Sequence, residues 1–299
     1  MESKNILSTD IGYSYTKYAY DGKFSKFPSV VSKAGNADYI GESASCEYIG
    51  SKFNVGDVFG EPNISTRTDD FLTKYSPLLL FHIFNKENIR PDLILASLSI
   101  SEYKEKELAL KNAVSKFIIN NELYKQEVMV FPQGMGIWVS SGKPDNAVII
   151  DIGYNTVDIF TVKDGSPNRD YSKGFSGIGT CILSNKIAQY IGSKFNGMFI
   201  PELEANKYLQ DKKAKIIRQD IDLSEFIEDK KADYADAIIN AILTTPEIKN
   251  VIDKTDNFII AGGGAYYIPT DFKSKYNITI PDNPEYANVI GFLREVSCE

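Results

Sequence analysis

Two copies of one short element carry most of the chemistry open to this sequence: Asp10-Ile11-Gly12-Tyr13 and Asp151-Ile152-Gly153-Tyr154. Each follows an apolar β-type segment, Asn5 to Thr9 in one case and Ala147 to Ile150 in the other, and each continues with the alternation of a strand. Both therefore read as β-hairpins opened by Asp-x-Gly. The glycine permits positive φ and lets a ligand approach the backbone, while the aspartate at the strand end aims its carboxylate at that ligand. Two such hairpins facing one another would supply two carboxylates and two sets of turn N–H groups. Magnesium takes oxygen ligands, often through retained waters, and turn N–H groups suit phosphate oxygens. A nucleoside triphosphate with its magnesium meets both needs, although Asp and Gly are common turn residues and two unrelated hairpins would also match over four residues.

Three further places could serve the same chemistry. Lys17, seven residues after Asp10, offers a compact positive charge to phosphates or is a solvated strand lysine. The run Asn257 to Ala265 is an apolar strand entering three glycines, Gly262, Gly263 and Gly264; it lets backbone lie against a base or phosphate, or it makes a tight connection. In Phe131 to Trp138 a strand end leads into a helix start, and Gln133 there holds a water against a terminal phosphate or caps a helix. The single histidine, His82, lies in the apolar run Leu78 to Phe84 and reads as a packing residue. Cys46, Cys181 and Cys298 are scattered, so neither a disulfide framework nor a zinc site is expected.

The elements that must position these groups form two α/β halves. Phe71 to Asn85 and Glu102 to Asn121 read as helices, with strands at Leu93 to Ser99 and Val128 to Phe131. After the second hairpin come helices over Ile178 to Ile191 and Glu225 to Leu243 and a strand over Phe258 to Ala261. The expected domains are 1–146, with an inserted, largely surface subdomain at about 36–73, and 147–284, with an insertion at about 195–248. A C-terminal helix at about 285–299 is expected to return to the first domain. The charge-rich run Asp211 to Lys231 reads as a solvated helical face. With 299 residues, 43% hydrophobic and 24% charged, the chain has enough apolar content for one or two cores. A net charge of −7 argues against wide contact with a phosphate backbone, so no direct tight binding to duplex DNA is expected. The start, MESKNILSTDIGYSYTKYAY, lacks a basic then apolar pattern, and no stretch approaches the roughly 18 apolar residues of a membrane span. A cytoplasmic protein with no membrane partner is the expectation.

The ordered segments DIGYSYTK, PQGMGIW, DIGYNTVD, AGGGA and PEYANVIGF resemble the phosphate-1, connect-1, phosphate-2, adenosine and connect-2 segments of the actin, chaperone and sugar-kinase superfamily. Within it, FNVGD, ISTRTDDFLTKYSPLLL and EYANVIGF are similar to bacterial and archaeal actin-like proteins of the ParM type. The resemblance implies an actin-like fold, two ribonuclease-H-like α/β domains around a nucleotide cleft, with ATP (or GTP) and Mg2+ as ligands. It implies that Asp10 and Asp151 hold the hydrated magnesium and that Gly12, Tyr13, Ser14, Lys17, Gly153, Tyr154 and Asn155 contact the phosphates. Gly262, Gly263 and Gly264 would line the adenosine site, Gln133 would position the attacking water, and Ala287 to Gly291 would form the hinge. Tyr13 and Tyr154 depart from the small or hydroxylated residues usual there, and ParM-type proteins commonly carry glutamate at the position of Gln133.

The implied function is an actin-like ATPase that polymerises head-to-tail with its own kind, in plasmid or DNA segregation through a DNA-bound adaptor protein. Alternatives are a small-molecule kinase and a non-polymerising ATP-binding scaffold. A kinase needs a base for the substrate hydroxyl, and PQGMGIW holds no acid. A chaperone would be expected to continue into a peptide-binding domain, and a membrane adaptor to end in an amphipathic helix, which LREVSCE does not resemble.

Overall fold

The structure, a computed structural model, describes residues 4–34, 45–56 and 63–297. Its chain order begins β1 (Ile6–Ile11), β2 (Tyr15–Tyr20), β3 (Lys23–Pro28), β4 (Val31–Lys33), β5 (Cys46–Tyr48), β6 (Ser51–Val55), α1 (Phe71–Glu87), β7 (Leu93–Leu98), α2 (Ile100–Ser115), β8 (Lys116–Ile119), β9 (Glu122–Lys125), β10 (Glu127–Pro132) and α3 (Met135–Ser140). It continues with β11 (Ala147–Ile152), β12 (Thr156–Lys163), β13 (Ser166–Pro167), β14 (Lys173–Ser176), α4 (Cys181–Lys194), α5 (Glu202–Asp211), β15 (Lys213–Ile216), β16 (Gln219–Asp222), α6 (Ser224–Leu243), α7 (Pro246–Ile252), β17 (Phe258–Ala261), α8 (Thr270–Lys275), β18 (Ile278–Thr279) and α9 (Ala287–Ser297). These elements make two compact units, residues 1–140 with 286–299, and residues 141–285.

In unit 1 the central sheet runs β10-β7-β1-β2-β3, with β1–β2–β3 antiparallel and β7 and β10 parallel to β1. Apolar residues on one face, among them Leu7, Ile94, Ala96 and Leu98, pack on α1 through Leu78, Leu79, Ile83 and Phe84. On the other face Leu93, Leu95 and Phe131 are covered by Phe292 of α9, with the Phe131 and Phe292 rings stacked at 5.0 Å. The α3–α9 crossing is as tight as backbone allows. A Cβ at Gly291 would overlap the Gly136 carbonyl, and one at Gly136 would overlap the Asn288 backbone.

Unit 2 repeats the pattern. Its sheet runs β13-β12-β11-β17-β18, with β14 also on β12; β11–β12 is antiparallel, and β17 and β18 continue parallel. Val148, Ile150, Ile152, Val157, Ile159 and Ile260 pack with Ile187 and Ile191 of α4 and Tyr234 and Ile238 of α6.

Three expectations need correction. The helix expected through Asn121 ends at Ser115, and Lys116 to Lys125 form the β8–β9 hairpin. There Phe117, Ile119 and Tyr124 are buried on alternate positions, and Asn120 and Asn121 take the left-handed turn that such a hairpin requires. Within Asp211 to Lys231, residues 213–222 form the β15–β16 hairpin, which buries Ala214 and Ile216, before α6 begins. The insertion near 36–73 lies partly outside the described residues. Its described part is less superficial than expected, since Cys46, Tyr48 and Phe53 join the core of unit 1. Cys298 lies outside the described residues; Cys46 and Cys181 are buried free thiols. Among the described residues no helix is long and apolar enough to cross a membrane.

Candidate functional site

Both Asp-x-Gly segments open hairpins of the same construction. Gly12 N–H donates to Tyr15 O at 3.1 Å, and Gly153 N–H donates to Thr156 O at 2.9 Å. Tyr13-Ser14 and Tyr154-Asn155 are thereby left as two-residue tips. The glycine requirement differs from expectation, because neither Gly12 nor Gly153 has positive φ. Space is tight at Gly12, where a Cβ would sit 3.0 Å from Tyr15 O, whereas one on Gly153 would make an ordinary contact at 3.4 Å from Thr156 O.

The carbonyls of both tips are satisfied from behind. Tyr13 O accepts from Thr66 Oγ1 at 2.8 Å and Ser14 O from Ser29 N at 2.9 Å. In unit 2, Gly153 O accepts from Thr180 N at 3.1 Å, Tyr154 O from Cys181 N at 2.8 Å and Asn155 O from Gly177 N at 2.7 Å. Lone pairs that would oppose an anion at either tip are thus engaged by protein donors.

The tyrosine that departs from the family pattern in unit 2 explains itself. The Tyr154 hydroxyl is sealed from solvent inside the unit. Burial, and then the Glu202 carboxylate beside it, hold its phenol well above the ordinary range. Only the backbone of Tyr154 serves the tip.

In unit 1 three side chains converge on Asp10, which is 3% exposed. Antiparallel register sets Lys17 directly across from it, and Lys17 Nζ lies 3.1 Å from Asp10 Oδ2. Parallel neighbours supply the rest: Ser97 Oγ on β7 donates to Asp10 Oδ1 at 3.0 Å, and Gln133 Nε2, just past β10, donates to the same oxygen at 2.7 Å. Gln133 N–H is tied to Leu98 O at 2.8 Å, and the next residue, Gly134, has φ +91° and donates to Asn288 Oδ1 at 3.1 Å.

In unit 2 the position across from Asp151 is Asp158, and both are buried. Parallel pairing of β11 with β17 sets Ala261 beside Asp151, so the glycine turn lies directly on that carboxylate. Gly262 has φ +78°, donates to Pro284 O at 2.9 Å, and leaves no room for a Cβ against Asp151 Oδ1 and Ile152 O. A Cβ on Gly264 would overlap the Ile152 side chain, whereas one on Gly263 would meet nothing within 4 Å. Packing therefore accounts for two of the three glycines and not for Gly263.

Two buried aspartates on one face of a hairpin are hard oxygen donors of the kind that suits magnesium carrying its own waters. Among the described residues no group of three or more His, Cys, Asp or Glu side chains could hold an ion as an all-protein cage.

Sequence reasoning missed Ser97 and Asp158, and took Asn288 only as part of the Ala287 to Gly291 segment. Asp158 had a signal, since it stands seven residues after Asp151 as Lys17 does after Asp10. Ser97 sits in an apolar strand and had none.

The model of the N-terminal domain of actin-like proteins matches residues 8–136. The model of the C-terminal part of the archaeal actin homologue MreB-like proteins matches residues 149–274. No curated protein matches the sequence. Among solved structures, Ta0583, an archaeal actin homologue in complex with ADP, is similar over 99% of this chain and 100% of its own, at 20% identity and TM-score 0.80. A 15-stranded ParM filament from Clostridium botulinum is similar over 99% and 100%, at 21% identity and TM-score 0.76. MreB5 of Spiroplasma citri bound to ADP is similar over 100% and 98%, at 16% identity and TM-score 0.68. Doubled Asp-x-Gly hairpins on doubled sheets, matched in both halves by these models, place the chain in the actin-like superfamily.

Proposed function

We propose that the protein binds ATP with hydrated magnesium, hydrolyses it, and assembles into nucleotide-dependent filaments of its own kind. The observation that carries this reading is the pair of matched hairpins with buried aspartates and carbonyls turned away from the tips. Gly12, Tyr13, Ser14, Gly153, Tyr154 and Asn155 would present backbone to phosphates, and Lys17 would balance their charge. Asp151, with Asp158 across from it, would hold the magnesium ion through water, and Asp10 is paired with Lys17. Magnesium would neutralise charge developing on the phosphates during transfer. Gly263, which nothing in the fold requires to be glycine, would allow the adenosine to lie against the backbone.

Phosphate loss then shifts the balance between conformations with different contacts to a neighbour. Head-to-tail contacts that do not close into a ring give an open polymer. The likeness to a ParM filament supports self-assembly, and the net charge of −7 favours an adaptor over direct DNA contact, as the plasmid-segregation reading requires.

Electron microscopy and pelleting with and without ATP and magnesium test the reading. Filaments should require nucleotide, show a critical concentration and decay as ATP is consumed. A protein that stays monomeric at tens of micromolar, on the order of weak-interface affinities, with every nucleotide, and phosphorylates a small molecule instead, overturns it.

A further inference from the structure

We propose that Phe199 of one copy seats in the groove between the β5–β6 turn and the β8–β9 hairpin of a second copy, and that this contact joins subunits of the filament. The inference rests on the filament reading above and names the two surfaces that meet.

The groove, of about 460 Å³, lies between Ile49 and Ile118. The β8–β9 hairpin buries Phe117, Ile119 and Tyr124 on its inner face, yet its outer face carries the cross-strand pair Ile118 and Leu123, both exposed, Ile118 at 58%. Single apolar residues scattered over a surface are ordinary, whereas several gathered at one concavity mark a place of contact.

Two features of the groove run against the fold. Ile49 opens the Ile49-Gly50 turn with φ +49° and is 70% exposed. A β-branched residue is sterically penalised in that left-handed region, where asparagine or glycine is at ease, and so exposed a side chain gains little packing in return. On the outer face of β8–β9, Lys116 stands directly across from Lys125, and like charges so placed weaken a strand pair. Glu47, which also lines the groove, stands across from Lys52, so the two facing lysines leave the rim basic.

The chain carries a matching protrusion. Phe199, in the connection from α4 to α5, is 84% exposed, the highest value for a large apolar side chain among the described residues. Its backbone is anchored on both sides: Gly197 N–H donates to Gly192 O at 2.8 Å, Met198 N–H to Phe195 O at 3.0 Å, and Ile200 is buried in the core of unit 2. Glu202, Leu203 and Glu204 follow at the start of α5, all exposed. A cavity of about 150 Å³ admits a benzene ring, so the groove has room for the Phe199 ring with Leu203 beside it, and the two glutamates suit the basic rim. Protrusion and groove belong to different units of the chain. Every copy therefore offers one of each, and a contact of this heterologous kind repeats from copy to copy.

The test is the critical concentration of the full chain with ATP and magnesium, read by pelleting. Phe199→Ser and Ile118→Asp should each raise it at least about tenfold, with nucleotide affinity moving less than about twofold and the melting temperature less than about 2 °C. A Phe199→Ser copy keeps its groove and an Ile118→Asp copy keeps its Phe199. Mixed in equal amounts above the wild-type critical concentration, they should sediment as a one-to-one dimer that neither forms alone.

Ile49→Asn and Lys125→Glu supply the readout that a merely structural role would not move. Each relieves a conflict within the fold and should raise the melting temperature by about 2–4 °C, while raising the critical concentration as well. Variants that assemble as wild type does, or a mixture that yields no dimer, overturn the inference and leave the filament reading standing. A wild-type chain that forms no filament with any nucleotide overturns both.

Discussion

The β1–β2 and β11–β12 hairpins share a backbone and differ in what faces the aspartate. Across from Asp10 is Lys17, and across from Asp151 is Asp158, each seven residues on and each in direct register. One hairpin is a closed ion pair with two further donors on the same carboxylate; the other is a buried pair of acids under a glycine turn. One residue thus sets the two copies of the scaffold apart: a lysine across from the aspartate in one and a second acid across from it in the other.

The comparison breaks most visibly at Asp151. Asp151→Ala should cut magnesium-dependent turnover by about a hundredfold or more and raise half-saturating magnesium. Turnover that survives with an unchanged magnesium requirement removes Asp151 from the metal site.

The glycine turn sharpens the same half. Gly262→Ala meets the Asp151 carboxylate and the Ile152 carbonyl at a left-handed φ, and should cost about 2–4 kcal/mol of stability. Gly263→Ala should stay within about 0.5 kcal/mol yet weaken nucleotide binding. Denaturant melts beside nucleotide titrations separate the two, and an unchanged affinity in Gly263→Ala means no ligand lies there.

The seventh positions come next. Lys17→Met should weaken triphosphate binding about tenfold even without magnesium, since it removes a charge partner of about 1.4 kcal/mol. Asp158→Asn should leave metal-free binding alone and weaken only the magnesium-dependent part. Identical behaviour of the two variants would erase the distinction between the hairpins.

The smallest effect distinguishes the units by pH. His82 packs on the Phe27 ring at 4.5 Å, and burial, then Lys86, lower its pKa below 6.5. The fold thus disfavours its charged form. The unfolded chain takes up the proton first as pH drops, so stability is whole above about 6.5, declines as pH falls toward the folded value, and levels off below it. Unit 2 contains no histidine. Thermal melts of wild type and His82→Gln between these limits should differ in slope; parallel curves would return His82 to a neutral packing role.

Much of the site was legible because chemistry and turn geometry fall on the same residues in Asp-x-Gly-Tyr, and because strand periodicity located β7, β10 and β17. The two missed hairpins were hidden for different reasons. At β8–β9 the Asn120-Asn121 turn was a readable signal masked by the helix before it. At β15–β16 the left-handed residues are Ile217 and Arg218, types that carry no turn signature, so tertiary packing of Ala214 and Ile216 decides. Ser97 was illegible in principle, since nothing in an apolar strand says that one hydroxyl will meet a carboxylate 87 residues away.

The glycine crossing of α3 and α9 sets the order in which the chain can mature on the ribosome. Unit 2 is contiguous in sequence, but unit 1 needs Phe292 over Leu93, Leu95 and Phe131 and Gly291 against Gly136. During synthesis the half that begins first is finished last, and its uncovered sheet face has to wait for α9 while unit 2 is already free to fold. The nascent protein would carry a sticky, half-built unit 1 until α9 has been made, the interval in which a holding chaperone has something to hold.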